Sequence, residues 1–156
     1  VKDQKQISGP LCEMISKLDD LLNINISTAS NPAAGPIEAR TPDYPVVALR
    51  QLARNALMHR AYEQANAPAR IYWFDDQVEI SNPGGLYGHV TCENLGRGAT
   101  AYRNPLLAEA MRVLGYVQNF GAGIPMAEAA LSKNGNPPIE FRIEPTFFFA
   151  TIRNRS

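Results

Sequence analysis

The chain has 156 residues, fifteen basic and fifteen acidic side chains in balance, and 45% hydrophobic residues, the proportion of an ordinary globular protein. That length supports one hydrophobic core, and neutral overall charge supplies no field to draw the chain onto nucleic acid or an anionic membrane. Cys12 and Cys92 are far apart and lack the clustered spacing of a zinc site, so no structural metal or disulfide framework is expected.

Val1 to Gln6 resembles neither an initiator nor a signal sequence, and no apolar run approaches the roughly 20 residues needed to span a bilayer. The expectation is a cytoplasmic piece of a longer protein with no membrane contact. Leu11, Met14, Ile15, Leu18, Leu21 and Leu22 then recur at three- and four-residue intervals behind Ser8-Gly9-Pro10, which predicts an amphipathic helix with proline near its first turn. The alternation of Ile24, Ile26 and Thr28 suggests a short strand. Ser30 to Pro36 has the composition of a loop, and Ile37 to Arg40 suggests another strand.

Pro42-Asp43-Tyr44-Pro45 punctuates the chain before a second helix, whose buried side is made by Val46, Leu49, Leu52, Ala53, Ala56 and Leu57. Arg70 to Phe74 and Val78 to Ser81, split by Asp75-Asp76-Gln77, read as an antiparallel hairpin. From Gly84 to Tyr102 there is little periodicity, as in a long mobile connection with a function of its own. Asn104-Pro105 opens a helix to about Leu114 and Gly123-Ile124-Pro125 another to about Lys133. A final hairpin joins Ile139–Ile143 to Phe147–Ile152 around Glu144-Pro145-Thr146. The sum is an α+β fold, a two-layer sandwich of helices on one face of a mixed, mostly antiparallel sheet, taken as a single domain with residues 1–43 leading into a motif-bearing part over 44–156.

Residues four apart on a helix are near neighbours, so Gln51, Asn55 and His59 form one polar stripe beside the apolar side. Such a stripe can be solvated surface or can face a cavity. An asparagine amide both donates and accepts, and its oxygen can ligate a hard cation such as magnesium. Asn82-Pro83-Gly84-Gly85 stands at the end of a strand, where glycine lets main chain approach a ligand, although proline-glycine pairs more commonly mark plain turns. Asn82 could meet a purine edge. Gly121-Ala122-Gly123 before a helix could offer backbone donors to phosphates, or simply make a tight connection. Arg97, Arg103 and Arg112 are candidate phosphate partners.

The order of these segments resembles the GHKL ATPase superfamily with the Bergerat fold, shared by gyrase-type topoisomerases, heat-shock chaperones, sensor histidine kinases and MutL proteins. More closely, Gln51-Leu-Ala-Arg-Asn55-Ala56-Leu-Met-His59-Arg60-Ala61-Tyr62, Asn82-Pro83-Gly84-Gly85-Leu86, Arg103-Asn104-Pro105 and Gly121-Ala122-Gly123-Ile124 resemble the C-terminal ATPase-like domain of bacterial RecG-related helicases or transcriptional regulators. The resemblance implies ATP or ADP with magnesium as ligands. It places Asn55 on the magnesium ion and Asn55, His59, Asn82, Gly84, Gly85, Arg103, Gly121 and Gly123 around the nucleotide. It also implies an N-terminal AlbA-like DNA-binding module in the parent protein and leaves a homodimer open, with no direct DNA contact expected of this chain.

Two departures qualify the resemblance. Gln51 stands where the superfamily has the glutamate that activates water, and an amide cannot accept that proton, so hydrolysis is expected to be very slow or absent. Asn82 replaces the superfamily's adenine-binding aspartate, though the closer family shares the asparagine; losing the charge-assisted hydrogen bond lowers the expected affinity. Two functions stay open: a nucleotide-binding regulatory domain, or a degenerate interaction and dimerisation module that no longer binds nucleotide. A helicase motor is disfavoured because the chain has no Gly-x-x-x-x-Gly-Lys-Ser/Thr phosphate loop.

Overall fold

A computed structural model of the chain describes residues 5–26, 28–31, 39–63, 66–117 and 121–155. The first helix, α1 (Leu11–Asn25), follows Pro10 and buries Ile15 and Leu22. It runs further than its apolar periodicity predicts. Ile24 belongs to this helix and is 73% exposed, so its alternation with Ile26 does not mark a strand. The helix keeps its last turn because the Ile26 amide donates to the Leu22 carbonyl and the Asn25 side chain to the Leu21 carbonyl.

Strand β1 (Thr28–Asn31) pairs antiparallel with β2 (Ala39–Pro42), Thr28 opposite Pro42 and Asn31 opposite Ala39. Ser30 and Asn31 are therefore strand, where a loop was expected. The rest of that expected loop and the start of the strand placed at Ile37 lie outside the described residues.

Helix α2 (Val46–His59) buries Ala48, Leu49, Leu52, Ala53, Ala56 and Met58. Strands β3 (Arg70–Trp73) and β4 (Gln77–Pro83) form the expected hairpin, with Ile71 opposite Ile80. Helix α3 (Pro105–Val113) and helix α4 (Gly123–Asn134) start at the predicted prolines and glycine. Strands β5 (Glu140–Ile143) and β6 (Phe147–Arg153) close the chain. The four-stranded sheet has the order β3-β4-β6-β5, and every pairing among the described residues is antiparallel.

Alternation sets which face of this sheet is apolar. Val78 and Ile80 of β4 and Phe148, Ala150 and Ile152 of β6 point to one side, where they share a core with Leu49, Leu52 and Ala56 of α2 and with Ala127 and Leu131 of α4. Leu22 of α1 joins the same core. A second, smaller cluster of Ile15, Met58, Ala108 and Met111 fixes α3 to α1 and the end of α2. The helices thus cover one sheet face, as the α+β sandwich requires. At the far end of α4, Asn136 is 7% exposed and donates to the carbonyls of Asp43 and Arg153 while accepting from Asn134. Among the described residues no helix is long and apolar enough to cross a membrane.

Candidate functional site

The polar stripe of α2 faces a cavity of ≈ 100 Å³. Gln51, Asn55 and His59 line it from the helix, Asn82, Gly84 and Gly85 from the end of β4, and Gly121 and Gly123 from the approach to α4. Eight of the nine residues that the resemblance assigns to the site converge there. The ninth, Arg103, stands at the rim: its guanidinium lies 4.7 Å from the centre of the Tyr87 ring and donates to the Gly85 carbonyl at 3.3 Å. Arg97 is exposed on the connection, and Arg112 is exposed and paired with Glu109 on α3; neither lines the cavity.

The cavity exists because α2 can bury its apolar side on the sheet while its adjacent polar side remains uncovered by strands. Residues 84–104 then cross over that side. They contain no helix or strand, but turns fold them back onto the site, so that Tyr87, Val90, Leu95, Thr100 and Tyr102 complete the walls. Two glycines permit this closure. A Cβ on Gly121, which has φ +78°, would stand 2.7 Å from the Thr100 methyl. At Gly85 a Cβ would stand 2.5 Å from the Glu144 carbonyl oxygen and 2.9 Å from that of Pro145, so this glycine serves the close approach of the β5–β6 turn. Asn104 does comparable structural work, donating to the Met58 and Arg60 carbonyls at the open end of α2.

The available polar atoms are few. Neither the Gln51 nor the Asn55 side chain makes a hydrogen bond to the protein among the described residues, whereas Asn82 is 2% exposed and donates its side-chain amide to the Pro83 carbonyl at 3.1 Å, leaving its oxygen as acceptor. The His59 ring stacks on Tyr102, 5.6 Å between centres. Burial, reinforced by the nearby Arg103 charge, pushes its pKa down to about 4, so the imidazole is neutral near pH 7. Tyr102 in turn has its phenol pushed up by burial, opposed by hydrogen bonds with Thr100 and the Gly121 backbone.

One residue that sequence reasoning missed changes the electrostatics. Arg54, on α2 between the stripe and the apolar side, also lines the cavity. Its guanidinium donates to Asp19 at 2.8 Å and to the Tyr116 carbonyl at 3.1 Å, and lies 5.4 Å from the Tyr116 ring centre. The Nε–H is buried with no partner. An orphaned donor of that kind costs about 1–3 kcal/mol. Tyr87 and Tyr102 were missed as well, because nothing in a turn-rich segment shows which of its aromatics will fold inward.

No aspartate or glutamate lines the cavity among the described residues, and nowhere among them do three or more His, Cys, Asp or Glu gather as a metal site would need. Asn55 supplies one neutral oxygen. A larger groove of ≈ 210 Å³ between α1, α2 and β3 is walled by Met14, Leu18, Leu22, Ile71 and Trp73 and contains none of the nine candidate site residues, so the candidate chemistry belongs to the smaller cavity.

Comparison with known proteins bears on the family and the fold. The family model described as "Putative ATP-dependent DNA helicase recG C-terminal" matches residues 66–152, from just before β3 to β6. No curated protein matches. Among solved structures, the DIP2311 protein from Corynebacterium diphtheriae is similar over 92% of this chain, with a TM-score of 0.78 and 28% identity. The family match leaves out α2. This chain spans 29% of the length of that protein.

Proposed function

The chain belongs to the family of RecG-type C-terminal domains, with a GHKL-like ATPase fold, and from that premise we propose that it is an ATP- or ADP-binding regulatory domain with very slow or no hydrolysis. The observation that supports binding is the convergence of Asn55, His59, Asn82 and both glycine turns on one cavity. In this reading Asn82 Oδ1 accepts from the purine amino group, Arg103 closes the rim over the base or sugar, and the backbone at Gly121 and Gly123 meets the phosphates at the start of α4. Binding would fix residues 88–102 and so alter contacts with an AlbA-like DNA-binding module of the parent protein or with a second subunit.

Gln51 argues against turnover. It lies near the start of α4, with its Oε1 3.5 Å from where a Cβ on Gly123 would stand, so its amide can orient a water there. It cannot take the proton, and general-base assistance is typically worth about 10²–10⁴-fold in rate. Magnesium, which the family implies beside the nucleotide, is poorly matched by this lining. Mg²⁺ sites commonly use one or two carboxylates in addition to phosphate oxygens, and here Asn55 stands without one.

Isothermal titration with ATP and ADP, with magnesium present, tests the proposal. Saturable heat at micromolar to millimolar nucleotide with phosphate release at background supports it; absence of heat and of amide chemical-shift changes at the upper concentration refutes it. Gln51 also favours a second reading, an interaction module that has kept the fold and lost the ligand. Thermal unfolding separates the two, because a ligand at 100 times its dissociation constant adds about 2.7 kcal/mol to stability and an unbound one adds nothing.

A further inference from the structure

We propose that this site takes its nucleotide as the metal-free polyphosphate anion, with Arg54 supplying the positive charge that magnesium would otherwise bring. The inference rests on the nucleotide-binding reading and specifies its ligand. Three observations carry it.

The first is the absence of any carboxylate among the described cavity-lining residues, together with a glutamine at position 51 where a carboxylate would stand. A hydrated Mg²⁺ gives up water reluctantly and is ordinarily compensated by negative side chains. Here it would meet one neutral amide and a neighbouring guanidinium. The second is the charge balance around Arg54. Asp19 lies 2.8 Å from Arg54 and 3.5 Å from Arg50, so one carboxylate faces two guanidinium groups and the trio keeps one net positive charge. Arg103 at the rim donates to a carbonyl and, among the described residues, pairs with no carboxylate, which adds a second positive charge near the cavity. His59 is neutral and contributes none. The third is the placement of that charge. Arg54 lines the cavity and is held from two sides by Asp19 and the Tyr116 carbonyl. A guanidinium fixed in this way keeps its charge beside the cavity without further ordering, where it attracts a phosphate anion.

The test compares ATP binding to the whole chain in excess EDTA and in excess magnesium by isothermal titration. The proposal expects the dissociation constant in EDTA to equal or improve on that in magnesium. It further expects Arg54→Gln to weaken binding in EDTA by about tenfold or more, the loss of one charge-assisted contact. Asp19→Asn controls for a merely structural role of Arg54, since it removes the same α1–α2 ion pair but leaves the cation in place. That variant should bind metal-free ATP as tightly as the wild type or more tightly. If binding weakens more than tenfold when magnesium is removed, or if Asp19→Asn loses as much affinity as Arg54→Gln, the proposal is overturned and the nucleotide-binding reading stands. If ATP binds under neither condition, that reading fails and takes the proposal with it.

Discussion

Lowering the pH from 7 to 4 should cost this protein stability at His59. Its imidazole is buried against Tyr102 beside Arg103, and its pKa falls from 6.5 to about 4. The unfolded chain therefore binds a proton at a pH where the folded chain does not, and stability rises with pH across that window. Contributions are complete above the unfolded pKa and are lost as pH falls toward the folded one. Integrating the two titrations gives a loss of about 2 kcal/mol near pH 5 and about 3 kcal/mol near pH 4, levelling off below that. Against a typical domain stability of about 5–15 kcal/mol the effect is large enough to measure. Urea unfolding curves at a series of pH values, for the wild type and for His59→Gln, isolate it. The carboxyls of Glu93, Glu109 and Glu140, also held low by hydrogen bonds, are exposed and cancel in the difference between the two proteins. Equal pH slopes for both proteins between pH 4 and 6.5 would refute the assignment.

Other outcomes follow from the same contacts. Gly85→Ala forces a methyl group onto two backbone carbonyls and should lower the urea midpoint by the equivalent of about 1–3 kcal/mol or more with an unchanged m-value. Asn104→Ala removes both hydrogen bonds to the end of α2, and calorimetry should show a loss of about 1–3 kcal/mol; no change would mean water replaces the amide. Gly121→Ala cannot coexist with the present position of Thr100, so limited proteolysis should cut residues 88–102 faster than in the wild type. Gln51→Glu introduces a carboxylate into a cavity that has none, and should weaken ATP binding in EDTA by about tenfold while making added magnesium favourable. Unaltered metal dependence in that variant would count against the charge argument.

Most of the fold is legible in the sequence because its signals are local. The three- and four-residue recurrence of Leu49, Leu52, Ala53 and Ala56 and the period-two pattern of Phe148, Ala150 and Ile152 each report a buried face, and all of these residues are in the core. Both sheet hairpins carry their turns between them. The end of α1 was misread because Ile24 and Ile26 alternate by chance, while the bonds that extend the helix come from asparagine side chains whose role depends on the helix already being there. The lining of the site divides in the same way. Gln51, Asn55, Asn82 and Gly121 stand in recognisable local patterns. Arg54 reads as a surface residue until Asp19, 35 positions away, and Tyr116, 62 positions away, are brought beside it by tertiary contact. Gly85 lines the cavity, and its lack of a Cβ is also required by the turn at Glu144 and Pro145, which its local pattern does not show.

The strand order β3-β4-β6-β5 has a consequence for biosynthesis. The last of these strands to leave the ribosome, Phe147–Arg153, is an inner strand of the sheet, bonded on one side to β4 and on the other to β5. Until it emerges, the β4 edge of the β3–β4 hairpin is unpaired, and the apolar side of α2 lacks Phe148, Ala150 and Ile152. At roughly 5–20 residues per second, β4 waits several seconds for its partner. Folding of this sheet is therefore withheld almost to the end of translation of these residues. A ribosome stalled before Phe147 would display an exposed strand edge and an open hydrophobic face, the form in which a chaperone would meet this chain.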